Sequence, residues 1–204
     1  MDVEMPRQEQ ILSVFVASPS DVGDERARLE EVIIELNHSW SRNLGIRLDL
    51  IRWETHAYPG FGADPQDVIN RQIPSDYDIF IGMMWHRYGT ATGRAESGTE
   101  EEFMRAKARW DEDRSALDLL IYFKDAPVNP SLIDALQLSK VTEFRKSLGK
   151  EGGLYWSFQS TDDFANYVRM HLTKIVQTWR DKLSGAASES RGCNRVSGVW
   201  FLAF

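Results

Sequence analysis

Cysteine is nearly absent: Cys193 is the single thiol in 204 residues, which excludes an intramolecular disulfide and any cysteine-built metal cluster. Long apolar runs are missing too, so no segment reads as a membrane span. The opening MDVEMPRQEQ is acidic and polar, unlike a secretory signal, and the expected location is cytoplasmic. Histidines are few and scattered, at 38, 56, 86 and 171. None has metal-ligand spacing, and each reads as a surface or half-buried residue. Basic charge falls short of acidic, giving a net charge of -7, which opposes non-specific binding to nucleic acid or an anionic membrane. There is no Walker pattern, no G-x-G-x-x-G after the first strand and no G-x-S-x-G. These absences argue against a P-loop, a dehydrogenase-type dinucleotide fold and a serine-hydrolase elbow.

What is present is alternation. ILSVFVAS (11–18) is a continuous apolar run suited to a buried strand, and Val22, Leu29, Val32, Ile33 and Leu36 then take helical spacing to about residue 39. IRLDLIRW (46–53) is a second strand. Asp64-Pro65 reads as an N-cap and first helical residue, opening PQDVINRQI. YDIFIGMMW (77–85) is a third strand, followed by a polar loop and a helix from Thr99 to about Asp113. ALDLLIYFKD (116–125) is a fourth strand, a helical stretch follows it, and GLYWSFQS (153–160) is a fifth. A last helix, capped by Thr161 or Asp162, runs to 183 with an apolar stripe through Phe164, Val168, Leu172, Ile175, Val176 and Trp179. Strands alternating with helices predict an α/β fold, a five-stranded parallel sheet with helices on both faces. The expected domain is 1–183. Residues 184–204 read as a linker or tail, which either packs on the body or leads into a larger protein.

In an open α/β sheet, ligands bind beyond the carboxyl ends of the strands. Three long polar segments fall there: SPSDVGDER, ETHAYPGFGAD and HRYGTATGRAESGTEEE. They bring Ser18, Ser20, Asp21, Arg26, Trp53, Glu54, Tyr58, Trp85, Arg87 and Glu102 to one edge. Each has a plain reading beside the functional one. Asp21 is a turn or cap residue or a ligand contact; Arg26 meets a phosphate or pairs with Glu30. Trp53 and Trp85 are core or stacking platforms, and Glu54 pairs with Arg52, Arg26 or Arg87 or faces a ligand. Glu100, Glu101 and Glu102 stand in a row after Ser97-Gly98-Thr99. Thr99 with Glu102 has the spacing of a capping box, and acidic residues suit a first helical turn. The chemical reading is that a carboxylate at this edge stabilises or traps a ribosyl cation during N-glycosidic cleavage, with aromatic side chains stacking on the base.

VFVASPSDVGDER, RWE and DYDIFIGMMWHRYGTATGRAESGTEEEF, in that order, resemble a TIR-like family often found at the N-terminus of bacterial STAND-type NTPases and other defence or signalling proteins. The resemblance covers about residues 11 to 180. It extends to TIR domains and nucleoside deoxyribosyltransferases, and so implies a flavodoxin-like sheet. In the deoxyribosyltransferases a GT-x-x-E segment opens a helix, with alanine four residues after the nucleophilic glutamate; Gly98, Thr99, Glu102 and Ala106 match. In NAD-cleaving TIR domains the catalytic glutamate precedes an apolar residue, as Glu102 precedes Phe103. Gly98 stands where the TIR W-x-x-x-E pattern has tryptophan. The resemblance implies NAD or a nucleotide as substrate rather than resident cofactor, and self-association or membership of a larger multidomain protein; the charge and the lack of a long apolar run lead to the expectation of no nucleic-acid or membrane partner. Two readings stay open: an NAD glycohydrolase or deoxyribosyltransferase-like hydrolase using Glu102, and a non-catalytic TIR-like interaction module.

Overall fold

The computed structural model describes residues 8–52, 58–62, 65–72, 74–92 and 95–193. Among these, the strands are β1 (Gln10–Ala17), β2 (Ile46–Ile51), β3 (Ile79–Met84), β4 (Asp118–Lys124) and β5 (Trp156–Phe158). The α-helices are α1 (Gly23–Leu44), α2 (Pro65–Gln72), α3 (Gly98–Glu112), α4 (Ala135–Lys150) and α5 (Thr161–Cys193). All strand pairs are parallel, in the order β2-β1-β3-β4-β5, which is the flavodoxin-like arrangement. The order reverses between β1 and β3, so the connections leaving those two strands diverge and open a crevice at their carboxyl ends.

Side-chain alternation along the central strands divides the core in two. Val14 and Val16 of β1, with Ile79, Ile81 and Met83 of β3, meet Leu29, Val32, Leu172 and Val176 from α1 and α5. Phe15 and Ala17, with Phe80 and Met84, face the opposite way, onto Phe103, Ala106, Phe144 and Leu148 from α3 and α4. Every residue of β3 is buried, as a central strand covered on both faces requires.

Three helix ends differ from the sequence expectation. α1 runs past residue 39 to Leu44, because Trp40 and Leu44 continue its contact with the core; it stops at Gly45, whose φ of 65° places it in the left-handed region that ends helices. α5 continues beyond 183 to Cys193. Its N-cap is Ser160, not Thr161 or Asp162: the Ser160 hydroxyl accepts the N–H of Asp163 at 3.1 Å. The expected cap at Asp64 lies outside the described residues.

Thr161 is drawn off by Glu25, which is fully buried in the first turn of α1. Glu25 Oε1 accepts from Thr161 Oγ1 at 2.8 Å and from Lys124 Nζ at 2.9 Å, joining α1, α5 and β4. Removing one partner of a buried ion pair strands the other charge. Lys124→Met is expected to cost about 3–5 kcal/mol in a denaturant melt, and adding Glu25→Leu to it recovers a large part of the loss.

His171 supplies a pH signature. Its Nδ1 lies 2.8 Å from the Tyr122 hydroxyl, and burial, followed by the charge of Lys174, holds the imidazole below its ordinary 6.5. The unfolded chain therefore binds this proton at a pH where the folded chain refuses it. The contribution to stability is complete above pH 6.5 and is lost as pH falls through the lowered folded value. Thermal melts across that window are expected to show a shallower acid-side decline for His171→Gln than for the parent.

Candidate functional site

The crevice predicted by the strand order is occupied by a cleft of about 580 Å³, within the range of small-molecule sites. One wall is the chain leaving β1, Ser18 to Ser20. A second is the loop after β3, with Arg87, Gly89, Thr90 and Ala91. Gly98, Thr99 and Glu102 of α3 contribute a third, Asp134 and Gln137 at the start of α4 a fourth, and Ile69 of α2 closes the side.

The three consecutive glutamates have three different surroundings. The N-cap of α3 is Ser97, whose hydroxyl accepts the Glu100 N–H at 2.9 Å; this corrects the expected Thr99–Glu102 capping box. Glu100 completes the cap by accepting the main-chain N–H of Glu96 at 2.9 Å. Glu101 turns aside and accepts from Asn70 Nδ2 and Thr92 Oγ1, both at 2.8 Å, fastening α2 and the β3 loop to α3. Glu102 lines the cleft with only 9% of its surface exposed. The shift of the cap from Thr99 to Ser97 moves Glu102 two steps past the capping position, and two steps of about 100° each carry its side chain roughly 200° around the helix axis from there.

Behind Glu102 lies a second, much smaller cavity of about 20 Å³, bordered also by Tyr77, Asn70 and Arg105. Burial raises the Tyr77 phenol to about 12, with Arg109 and Arg105 opposing the shift and the nearby Glu102 charge adding to it. Tyr88 is pushed up from the usual phenol range by burial and then by its hydrogen bond with Glu100. Both phenols therefore stay protonated at neutral pH.

Of the residues singled out from sequence, Ser18, Ser20, Arg87 and Glu102 share the cleft. Asp21 and Arg26 stand behind its wall. Asp21 Oδ2 accepts the main-chain N–H groups of His86 at 3.0 Å and Arg87 at 2.9 Å. Arg26 Nη1 donates to the Ser18 hydroxyl at 2.9 Å and to the carbonyls of Ser18 and Pro19, bracing the turn after β1; Glu30 pairs with Arg52 instead. Trp85 is part of the packing: its Nε1 donates to the Ala126 carbonyl at 3.1 Å, and Lys124 Nζ sits 4.4 Å from its ring centre. Tyr58 is 69% exposed and is not among the lining residues. Trp53 and Glu54 lie outside the described residues. His86, expected at or near the surface, is buried beside Asp21, with Nε2 3.7 Å from Oδ2. No group of three potential metal-ligating side chains occurs among the described residues.

Sequence reading missed Asp134, Gln137, Gly89 and Ile69. Asp134 carried a local signal, since it caps α4 by accepting the N–H groups of Leu136 and Gln137. Gln137 carried none: its Oε1 accepts the main-chain N–H of Tyr88 at 2.7 Å and of Gly89 at 3.0 Å, contacts across 49 and 48 positions of chain. Gly89 has φ 113°, and a Cβ there would lie 3.1 Å from Ser97 Cβ. Only glycine lets the loop cross the α3 cap so closely. Gly89→Ala is expected to lower stability by about 1–3 kcal/mol and to displace the Tyr88 and Gly89 amide resonances, reporting a loop pushed off Gln137.

No curated protein matches the chain. Among solved structures it is similar to the apo form of translation elongation factor SelB from Methanococcus maripaludis, at 11% identity and TM-score 0.46, over 83% of this chain and 35% of that one. It is also similar to S. aureus homoserine dehydrogenase at pH 6.5, at 9% identity and TM-score 0.31, over 74% and 33% of the two chains. RosB with a bound riboflavin-phosphate intermediate aligns at 12% identity and TM-score 0.35, over 95% and 91%. The chain thus spans about a third of the first two proteins. The family model described as "Domain of unknown function (DUF4062)" matches residues 13–173, a span that takes in every wall of the cleft, and the chain belongs to that family.

Proposed function

We propose that the cleft cleaves the N-glycosidic bond of NAD(+) or a related nucleotide, with the Glu102 carboxylate meeting the ribosyl cation, in a TIR-like domain of a bacterial defence or signalling protein. The observation that carries this reading is the place of Glu102 in the lining of the cleft. Glu100 serves the helix end and Glu101 the walls, while Glu102 lines the cleft at the strand-order reversal. In the proposed reaction the bond from C1′ to the pyridinium nitrogen breaks and its electron pair goes to nitrogen, so nicotinamide leaves neutral. Positive charge develops at C1′ and the ring oxygen, and the carboxylate stabilises it or forms a transient ester. Water supplies hydroxyl to C1′ and its proton passes to solvent. Arg87 has an exposed side chain at the cleft and no ion-pair partner among the described residues, so it is available to an anionic part of the ligand.

The competing reading is a non-catalytic TIR-like interaction module. In it Glu102 is tied back to Thr99 as a cap and the cleft is filled by Trp53, which lies outside the described residues, or by Tyr58. Ser97 as cap and the exposure of Tyr58 favour the enzymatic reading. Self-association is part of the proposal, so NAD consumption is measured at high protein concentration with a crowding agent. Consumption by the parent chain is expected to fall by about 100-fold or more in Glu102→Gln, with the melting curve retained. Unchanged consumption in that variant moves the role to another carboxylate. A folded parent chain that leaves NAD intact speaks for the module.

A further inference from the structure

We propose that Asp134 and Gln137, one turn apart at the start of α4, form a subsite for a neutral amide or lactam and discriminate against the matching carboxylate. The inference rests on the reading of the cleft as a nucleotide-cleaving site and adds to it that the departing ring lies against this wall. A carbonyl oxygen of the ligand accepts from Gln137 Nε2, and the adjacent N–H donates to the second carboxylate oxygen of Asp134.

The orientation of Gln137 follows from its partners. Two main-chain N–H groups, from Tyr88 and Gly89, point at one end of its side-chain amide. An amide nitrogen has no acceptor capacity, so that end is Oε1 and the other is Nε2 with two donors. No described residue takes those donors. Asp134 is fixed in the same manner. Its Oδ1 accepts the N–H of Leu136 at 3.0 Å and of Gln137 at 3.2 Å, and no described residue engages Oδ2. Both side chains line the cleft that Glu102 lines. A donor and an acceptor are thus held by backbone contacts before any ligand arrives, which lowers the ordering cost of binding. Selectivity follows from charge. A primary amide or lactam offers both complementary groups, whereas a carboxylate in the same place offers two acceptors and a negative charge beside Asp134.

Two substitutions separate the subsite from the structural roles of the same residues. Gln137→Glu keeps an oxygen for the Tyr88 and Gly89 N–H groups and removes the donors. Asp134→Asn keeps a good N-cap and removes the charge. The isotope-labelled whole chain is titrated with nicotinamide and, separately, with nicotinate, following the Gln137 side-chain amide and the Gly89 backbone amide by NMR. The parent is expected to bind nicotinamide at least about tenfold more tightly than nicotinate, a ratio that one net hydrogen bond supplies. Gln137→Glu is expected to weaken nicotinamide by about tenfold or more with an unchanged melting temperature. In Asp134→Asn the preference over nicotinate shrinks. Equal binding of the two probes by the parent, no binding of either, or parent-like nicotinamide affinity in Gln137→Glu overturns the subsite. The NAD assay keeps the two ideas apart. NAD loss that depends on Glu102 but is unaltered by Gln137→Glu removes the subsite and leaves the cleavage reading. Selective nicotinamide binding without NAD loss does the reverse.

Discussion

One oxygen of one buried carboxylate holds the carboxyl edge of the sheet in place. Asp21 Oδ2 receives the main-chain N–H groups of both His86 and Arg87, across 65 and 66 positions of chain. At a strand-order reversal the chains leaving the two central strands diverge, so the first amides beyond β3 have no ladder partner. Backbone N–H groups need an acceptor, and a hydrogen bond to a charged group is worth roughly 1.5–3 kcal/mol where it is shielded from water. Asp21 meets that need from the turn at the start of α1. It also fixes where the β3 loop begins, and so where Arg87, Gly89 and Thr90 stand relative to β1. Arg26 makes the complementary set of bonds to Ser18 and Pro19. The two sides of the crevice are anchored by a carboxylate and a guanidinium that both sit behind its lining.

Helix geometry then converts three identical residues into three functions. With Ser97 as cap, Glu100 points back along the chain to the Glu96 amide, Glu101 reaches sideways to Asn70 and Thr92, and Glu102 falls on the cleft. Glu101 matters for the site although it does not line the cleft. Its two bonds join α2, which carries Ile69, and the β3 loop, which carries Thr90 and Ala91, to the helix that carries Glu102.

The opposite layer is closed by polar contacts as well as by apolar ones. Glu25, Lys124 and Thr161 draw the starts of α1 and α5 onto the end of β4, and Lys124 lies over the Trp85 ring. That network accounts for Trp85. A tryptophan at the end of a central strand reads from sequence as a stacking platform or as core; here its ring is held by a cation and its N–H by a backbone carbonyl on the far side of the sheet from the cleft residues of α3 and α4.

Periodicity made the five strands, the five helices and the sheet's parallel sense legible, because burial on two faces imposes continuous apolar runs on β1 and β3 and burial on one side a stripe on α1 and α5. It also placed Ser18, Ser20, Arg87 and Glu102 at one edge, where they line the cleft, since the topology of an α/β sheet brings the loops after its strands together. Local sequence could not choose between Ser97 and Thr99 as cap: both are hydroxyl residues followed three positions later by a glutamate, and the structure makes Ser97 the cap. Nor could it see Gln137, whose partners lie on another loop, or assign Asp21 and Arg26 to bracing rather than lining. The sequence by itself determined the elements and the edge on which the cleft opens, because those follow from short-range patterns of burial. Only the tertiary structure decided which polar side chain at that edge faces the cleft and which supports it, because that depends on hydrogen bonds between segments far apart in the chain.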